Sequence, residues 1–162
     1  MLLLLLAVAV LFGVGAVLGA PYLPVLKAEH DNLLDMCELQ PGDTLLDLGS
    51  GDGRFLRAAA KRGYNAIGYE INPLLYLVSL LITWRHRKQV TIILGDYWHR
   101  QLPEAQAIYV FLIDRYMDRL DKKLTNEIHS PTNVISFVFA MPNRKPNMTT
   151  RNAFRYRYGS AK

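Results

Sequence analysis

The chain has 162 residues and a formal net charge of +5, from 19 Lys and Arg against 14 Asp and Glu. Hydrophobic residues make up 51% and charged residues 20%, which excludes wholesale disorder and suits one small α/β domain with an appendage, not two full domains. A single cysteine, Cys37, allows no intrachain disulfide and no thiolate cluster, and His30, His86, His99 and His129 show no ligand spacing, so no metal site is expected.

Residues 1–20 carry no charged side chain. A helix needs about 20 apolar residues to cross about 30 Å of hydrocarbon, and this stretch meets that length. A cleaved signal peptide would have a basic start and a small-x-small exit, whereas here no Lys or Arg precedes the run and Pro21 follows Ala20. A run that is apolar all round also differs from an ordinary surface helix. The expected organisation is therefore an uncleaved transmembrane anchor over residues 1–20 and a folded domain over 21–162. The bias of Lys and Arg toward the far side of the anchor, from Lys27 onward, directs that domain to the cytoplasm, or to the matrix if the membrane is mitochondrial.

Pro21 and Pro24 punctuate the exit from the apolar run. Leu26, Leu33, Leu34 and Cys37 then share one face of a helix over 25–39, and Pro41-Gly42-Asp43 makes a turn. A strand over 44–48 runs through glycines into a helix over 54–62, and 65–69 is a second strand. Asn72-Pro73 starts a helix that continues to about residue 87, with Asn as cap and Pro at the first helical position. Strands follow over 90–94 and 107–113, a helix over 116–128, a fifth strand over 133–140, and a final antiparallel edge over 154–158. Alternating strands and helices call for a parallel sheet with right-handed crossovers and helices on both faces. No acidic residue follows Glu127, so Arg144, Lys145, Arg151, Arg155, Arg157 and Lys162 form a basic C-terminal stretch suited to anionic lipid or RNA, or simply solvated. A membrane anchor on the same chain favours lipid.

The segment that carries chemistry is Leu45-Leu46-Asp47-Leu48-Gly49-Ser50-Gly51-Asp52-Gly53-Arg54. An apolar strand leads into an acid, then glycines at alternate positions, then a helix. In an open α/β sheet such a loop lies at the carboxyl edge, where ligands bind. A P-loop would need Gly-Lys-Ser/Thr, which is absent, and a dinucleotide fingerprint would need a third glycine where Arg54 stands. Asp47 and Asp52 would repel a diphosphate, whereas they suit a ligand bearing an ammonium group. Glu70 ends the second strand, about 20 residues on, where an acid accepts from ribose hydroxyls. Asp96 ends the third.

Asp47-Leu48-Gly49-Ser50-Gly51-Asp52-Gly53, with Glu70 and Asp96 in order, resembles motif I and the following acids of class I S-adenosylmethionine (SAM) dependent methyltransferases. The resemblance implies a Rossmann-like methyltransferase sheet and a SAM site formed by Asp47, Gly49, Ser50, Gly51, Asp52, Gly53, Glu70 and Asp96. Ala20-Pro21-Tyr22-Leu23-Pro24, Gly68-Tyr69-Glu70-Ile71-Asn72-Pro73 and Leu120-Asp121-Lys122-Lys123-Leu124 extend it. They are similar to the membrane-anchored protein-lysine methyltransferases that act on the adenine nucleotide translocase and the ATP synthase c-subunit, with their bacterial relatives. That similarity implies a lysine acceptor on a membrane protein. Where those proteins carry a Pro-aromatic-Pro segment after the fifth strand, this chain has Ala140-Met141-Pro142-Asn143, and Asp114 replaces an apolar or proline position after the fourth.

Asp114 and Tyr116 are the candidates to orient or deprotonate an amine, the competing role for Asp114 being a helix cap. The absence of Asn/Asp-Pro-Pro-Tyr at this place argues against methylation of a nucleobase amine, and the anchor argues against nucleic acid as a partner. An RNA or small-molecule methyltransferase and a SAM-binding module without catalysis are the alternatives. The helix after Asn72-Pro73 has almost no polar face until Trp84, Arg85, Arg87 and Lys88. It is either buried between the sheet and the N-terminal segment or rests on lipid, with Trp84 and the cations among the headgroups.

Overall fold

In the computed structural model, which describes residues 27–159, α1 (Lys27–Cys37) leads into β1 (Thr44–Leu48), whose apolar residues are buried on both faces. The chain then alternates through α2 (Arg54–Lys61), β2 (Asn65–Glu70), α3 (Pro73–Thr83), β3 (Val90–Leu94), β4 (Ala107–Val110), α4 (Met117–Glu127) and β5 (Thr132–Phe137). A two-residue β6 (Met148–Thr149) and β7 (Ala153–Tyr158) complete a seven-stranded sheet of order β3-β2-β1-β4-β5-β7-β6. The first five strands are mutually parallel and β7 is antiparallel to both β5 and β6. This is the Rossmann-like class I methyltransferase sheet. Leu33, Leu34, Phe55, Leu56 and Ala59 fill the core on one face, and Met117, Leu120 and Leu124 of α4 fill it on the other.

The expected anchor over residues 1–20 lies outside the described residues. Among the described residues, no helix is long and apolar enough to cross a membrane.

Several expected boundaries move, each for a local reason. The helix expected to reach residue 87 stops at Thr83 and tightens into a 3-10 turn, Trp84–His86. Its start is as expected: Asn72 Oδ1 accepts from the N–H groups of Leu74 and Leu75 at 2.9 and 3.4 Å. The fourth strand ends at Val110, not at residue 113, and is followed by a 3-10 turn, Asp114–Tyr116. Asp114 caps neither element: Ile113 and Tyr116 hold the cap positions and neither provides a side-chain cap. The segment over 154–158 is not the sheet edge, because β6 pairs outside it. The basic C-terminal stretch is likewise partly structural. Arg155 on β7 pairs with Glu38 at the end of α1, and Arg144 donates to Asp121 at 2.8 Å while lying 4.0 Å above the Tyr158 ring. An alternating strand can pack one face and hold cations on the other, which composition alone does not reveal.

Candidate active site

Strand order reverses between β1 and β4, so the loop leaving β1 opens at the crevice where doubly wound sheets bind ligands. The loop is held shut from below. Ser50 N–H donates to Tyr69 O at 2.8 Å, and Gly53 N–H donates to Ser50 O at 2.9 Å. Gly51 and Gly53 have φ of 57° and 78°, a region that favours glycine. Gly53 is required for a second reason: a Cβ there would stand 2.9 Å from Ser79 Cβ of α3. Above Gly49 the space is open, with nothing within 4 Å of where a Cβ would be, so a ligand can approach the backbone there.

Glu70 is the hub of the site. Its Oε2 accepts from Gly51 N–H at 2.8 Å and its Oε1 from Asn72 N–H at 2.7 Å. One carboxylate thus fixes both the glycine loop and the start of α3. Burial raises its pKa, and the backbone N–H groups of Asn72, Gly51 and Ile71 act against that rise.

Asp47 lies behind the loop and is only 2% exposed. Among the described residues no group donates to its Oδ1. Burial, with the Glu70 charge added, lifts its pKa well above the ordinary 3.8. Its register partner on β4 is Tyr109, whose buried hydroxyl also lacks a partner among the described residues. Burial therefore favours the neutral acid, and a cation placed beside it would favour the ionised form. Asp52 is already paired, accepting from Arg54 Nε at 2.7 Å and from Arg54 N–H at 3.2 Å, so it organises the start of α2.

Asp96 follows β3 and opens a 3-10 turn, Tyr97–His99. Its Oδ1 accepts from Trp98 N–H at 2.9 Å, and its Oδ2 lies 2.9 Å from His99 Nδ1. The next residues form an aromatic wall. Tyr97 and Trp98 rings are 4.8 Å apart, and Trp98 and Tyr116 rings 6.3 Å apart. Trp98 therefore joins the Asp96 turn to the Asp114–Tyr116 turn. Tyr116 is half-buried in that wall, under the Arg115 guanidinium at 4.7 Å. Asp114 is exposed at the rim.

Three contributors are not evident from the motif alone. Gly68 lies under the loop, where a Cβ would be 2.6 Å from both Ser50 Cβ and Leu56 Cδ1. Trp98 makes the aromatic junction just described. Val138, directly after β5, has φ 71°, an outlier for a β-branched residue, and Phe139 N–H donates back to Phe137 O at 3.0 Å across it. Glycine next to a motif acid was readable in the sequence, but its close neighbours were not.

The constellation fits SAM. It provides an open glycine loop, a carboxylate at the end of β2, acids in place of phosphate-binding cations, and an aromatic wall at the end of β3.

Comparison with known proteins agrees. A family model described as the ANTKMT methyltransferase domain matches residues 47–148. The lysine N-methyltransferase of the ATP synthase c-subunit from Xenopus laevis is 35% identical over 129 residues, which is 78% of this chain and 57% of that protein. The adenine nucleotide translocase lysine N-methyltransferase of Mus musculus is 33% identical over 139 residues, 80% of this chain and 57% of that protein. The chain thus spans little more than half the length of these relatives. A crystal structure of an RNA methyltransferase from Salinibacter ruber in complex with S-adenosyl-L-homocysteine superposes with a TM-score of 0.81 at 26% identity, covering 86% of this chain and 96% of that one.

Proposed function

The chain belongs to the ANTKMT methyltransferase domain family, and from that premise we propose that it transfers a methyl group from SAM to the lysine ε-amino group of a membrane protein. The observation that carries this reading is Glu70 gripping Gly51 and Asn72, because it ties the glycine loop after β1 to the end of β2 and so shapes a crevice for SAM between them. The two lysine methyltransferase relatives support the acceptor class.

SAM supplies an electrophilic methyl group on a sulfonium. Glu70 would accept from the ribose hydroxyls with the lone pairs left over from its backbone bonds. Gly49, Ser50, Gly51 and Gly53 would hold the methionine part against their loop, whose exit into α2 is fixed by the Asp52–Arg54 pair. Asp47 would offer a carboxylate to the ammonium group of the methionine part, and Asp96 with the Tyr97–Trp98 wall would receive the adenine. The acceptor lysine must arrive neutral, and desolvation beside a cation favours loss of its proton. Asp114, exposed at the rim, or the Tyr116 hydroxyl takes that proton or orients the amine. Residues 1–20 anchor the chain, and the domain over 21–162 faces the cytoplasm or the matrix, where SAM is supplied.

Radiolabelled SAM added to membrane fractions with the purified chain tests the proposal. A labelled protein band whose label is recovered as methyl-lysine after acid hydrolysis supports it. Asp114→Asn and Tyr116→Phe should lower turnover while leaving SAM affinity within about twofold. An RNA acceptor is the second reading, favoured by the Salinibacter ruber structure that this chain covers almost entirely. Label in RNA instead of protein would establish that reading, and no label in either would mark a binding module.

A further inference from the structure

Helix α3 is packed inside out. Its buried positions are Leu75, Ser79 and Thr83, one turn apart on the face toward the sheet and α2. Ser79 and Thr83 satisfy their hydroxyls within the helix, on Tyr76 O and Ser79 O, both at 2.7 Å. Helix α2 begins close against this face: a Cβ at Gly53 would stand 2.9 Å from Ser79 Cβ and 3.2 Å from Thr83 Cγ2. The outward face carries the large apolar side chains instead. Leu77 is 55% exposed, Leu81 79% and Trp84 63%, with Val78 and Leu80 at 39% beside them.

The end of the patch says what covers it. Arg85, Arg87 and Lys88 follow at once after Trp84, and the Arg87 guanidinium lies 4.6 Å over the Trp84 ring. No acidic side chain occurs from residue 71 to residue 89. Apolar side chains, an exposed tryptophan and a run of cations that form no ion pair among the described residues match the chemistry of a bilayer surface containing anionic lipid. We infer that α3 lies in the membrane interface, with Leu77, Leu81 and Trp84 among the acyl chains and Arg85, Arg87 and Lys88 at anionic headgroups. The helix starts at Asn72, beside Glu70, so the same contact holds the cofactor crevice next to the bilayer. The inference rests on the membrane reading of residues 1–20 given above.

Site-directed spin labelling of the full chain in phosphatidylcholine–phosphatidylglycerol vesicles tests it. Cys37 is fully buried and its thiol pKa is pushed up to about 12, so a label at Leu81→Cys reacts selectively. A control label goes on α4 at Lys122→Cys, a solvent-exposed position. The label at 81 should collide preferentially with oxygen, giving an oxygen-to-nickel-complex ratio severalfold above that at 122. Combined Arg85→Glu, Arg87→Glu and Lys88→Glu should lower that ratio. Equal ratios at 81 and 122 in vesicle-bound protein would overturn the placement of α3 and leave the anchor standing. Low collision with both reagents would overturn it too, since a protein segment or second copy would then cover the patch. An unchanged ratio in the triple variant would overturn the anionic-surface assignment. Failure of the chain to bind vesicles would sink the anchor reading together with this one.

Discussion

Glu70, the last residue of β2, and Gly51, in the loop after β1, are joined by a single hydrogen bond of 2.8 Å from the Gly51 N–H to Glu70 Oε2. The same carboxylate takes the Asn72 N–H, so the acid read as a ribose ligand is also the clasp of the glycine loop. Glu70 thus has a structural task before any ligand arrives.

Glu70→Ala should weaken SAM binding and lower stability together. Hydrogen bonds to a charged acceptor are worth about 1.5 to 3 kcal/mol, so the affinity loss is roughly ten- to a hundredfold. Glu70→Gln keeps one carbonyl oxygen and should fall between. Calorimetric titration and urea denaturation read the two effects separately. Unchanged SAM affinity in Glu70→Ala would remove Glu70 from the site.

Asp47 makes the ligand-free protein pH-sensitive. Its folded-state pKa lies well above the ordinary 3.8, chiefly through burial. The folded state therefore binds more protons than the unfolded state between those two values, and stability falls as pH rises through that interval. Every tenfold difference in proton affinity between the two states corresponds to about 1.4 kcal/mol. Asp47→Asn cannot ionise, so its melting temperature relative to wild type should rise from acid to neutral pH. SAM binding to wild type should release protons, seen as a buffer-dependent enthalpy that Asp47→Asn lacks. A melting-temperature difference that stays constant across pH would show that Asp47 keeps an ordinary pKa.

Gly68→Ala forces a methyl group to within 2.6 Å of Ser50 Cβ and Leu56 Cδ1. Overpacking of this kind costs about 1 to 3 kcal/mol, and here it also displaces the loop residue Ser50. Both stability and SAM affinity should drop. Adding Ser50→Gly removes one of the two clashes, so the double variant should recover part of the lost stability in a double-mutant cycle. Strict additivity of the two changes would mean that residues 50 and 68 do not press on each other.

Val138→Gly relieves the strained φ of 71° directly after β5. Strain of this type costs about 1 kcal/mol or more, so the variant should unfold at a higher denaturant midpoint. Val138 sits at the carboxyl edge and is 45% exposed, so the acceptor KM should rise while SAM affinity holds. A lower midpoint would show that the turn is not strained.

The sequence alone determined the order of elements, the carboxyl-edge loop and its acids. Short-range rules govern these: alternate glycines after an apolar strand force a turn, and Asn72-Pro73 starts a helix wherever it lies. The boundaries of β1 and β3 and the acids Asp47, Glu70 and Asp96 were legible for that reason. The ends of α3 and β4 were not, because tertiary packing decides where a helix tightens or a strand leaves the sheet. Only the fold revealed that β7 is an inner strand, with Arg155 committed to Glu38 across a long stretch of chain. Only the fold could show that Glu70 clasps Gly51, that Gly68 makes room for Ser50, or that Ser79 and Thr83 face inward while Leu77 and Leu81 face out. A hydrophobic pattern says which residues can be buried. Which face of α3 is buried depends on its neighbours in space: α2 begins against Ser79 and Thr83, where a Cβ at Gly53 would stand 2.9 Å from Ser79 Cβ.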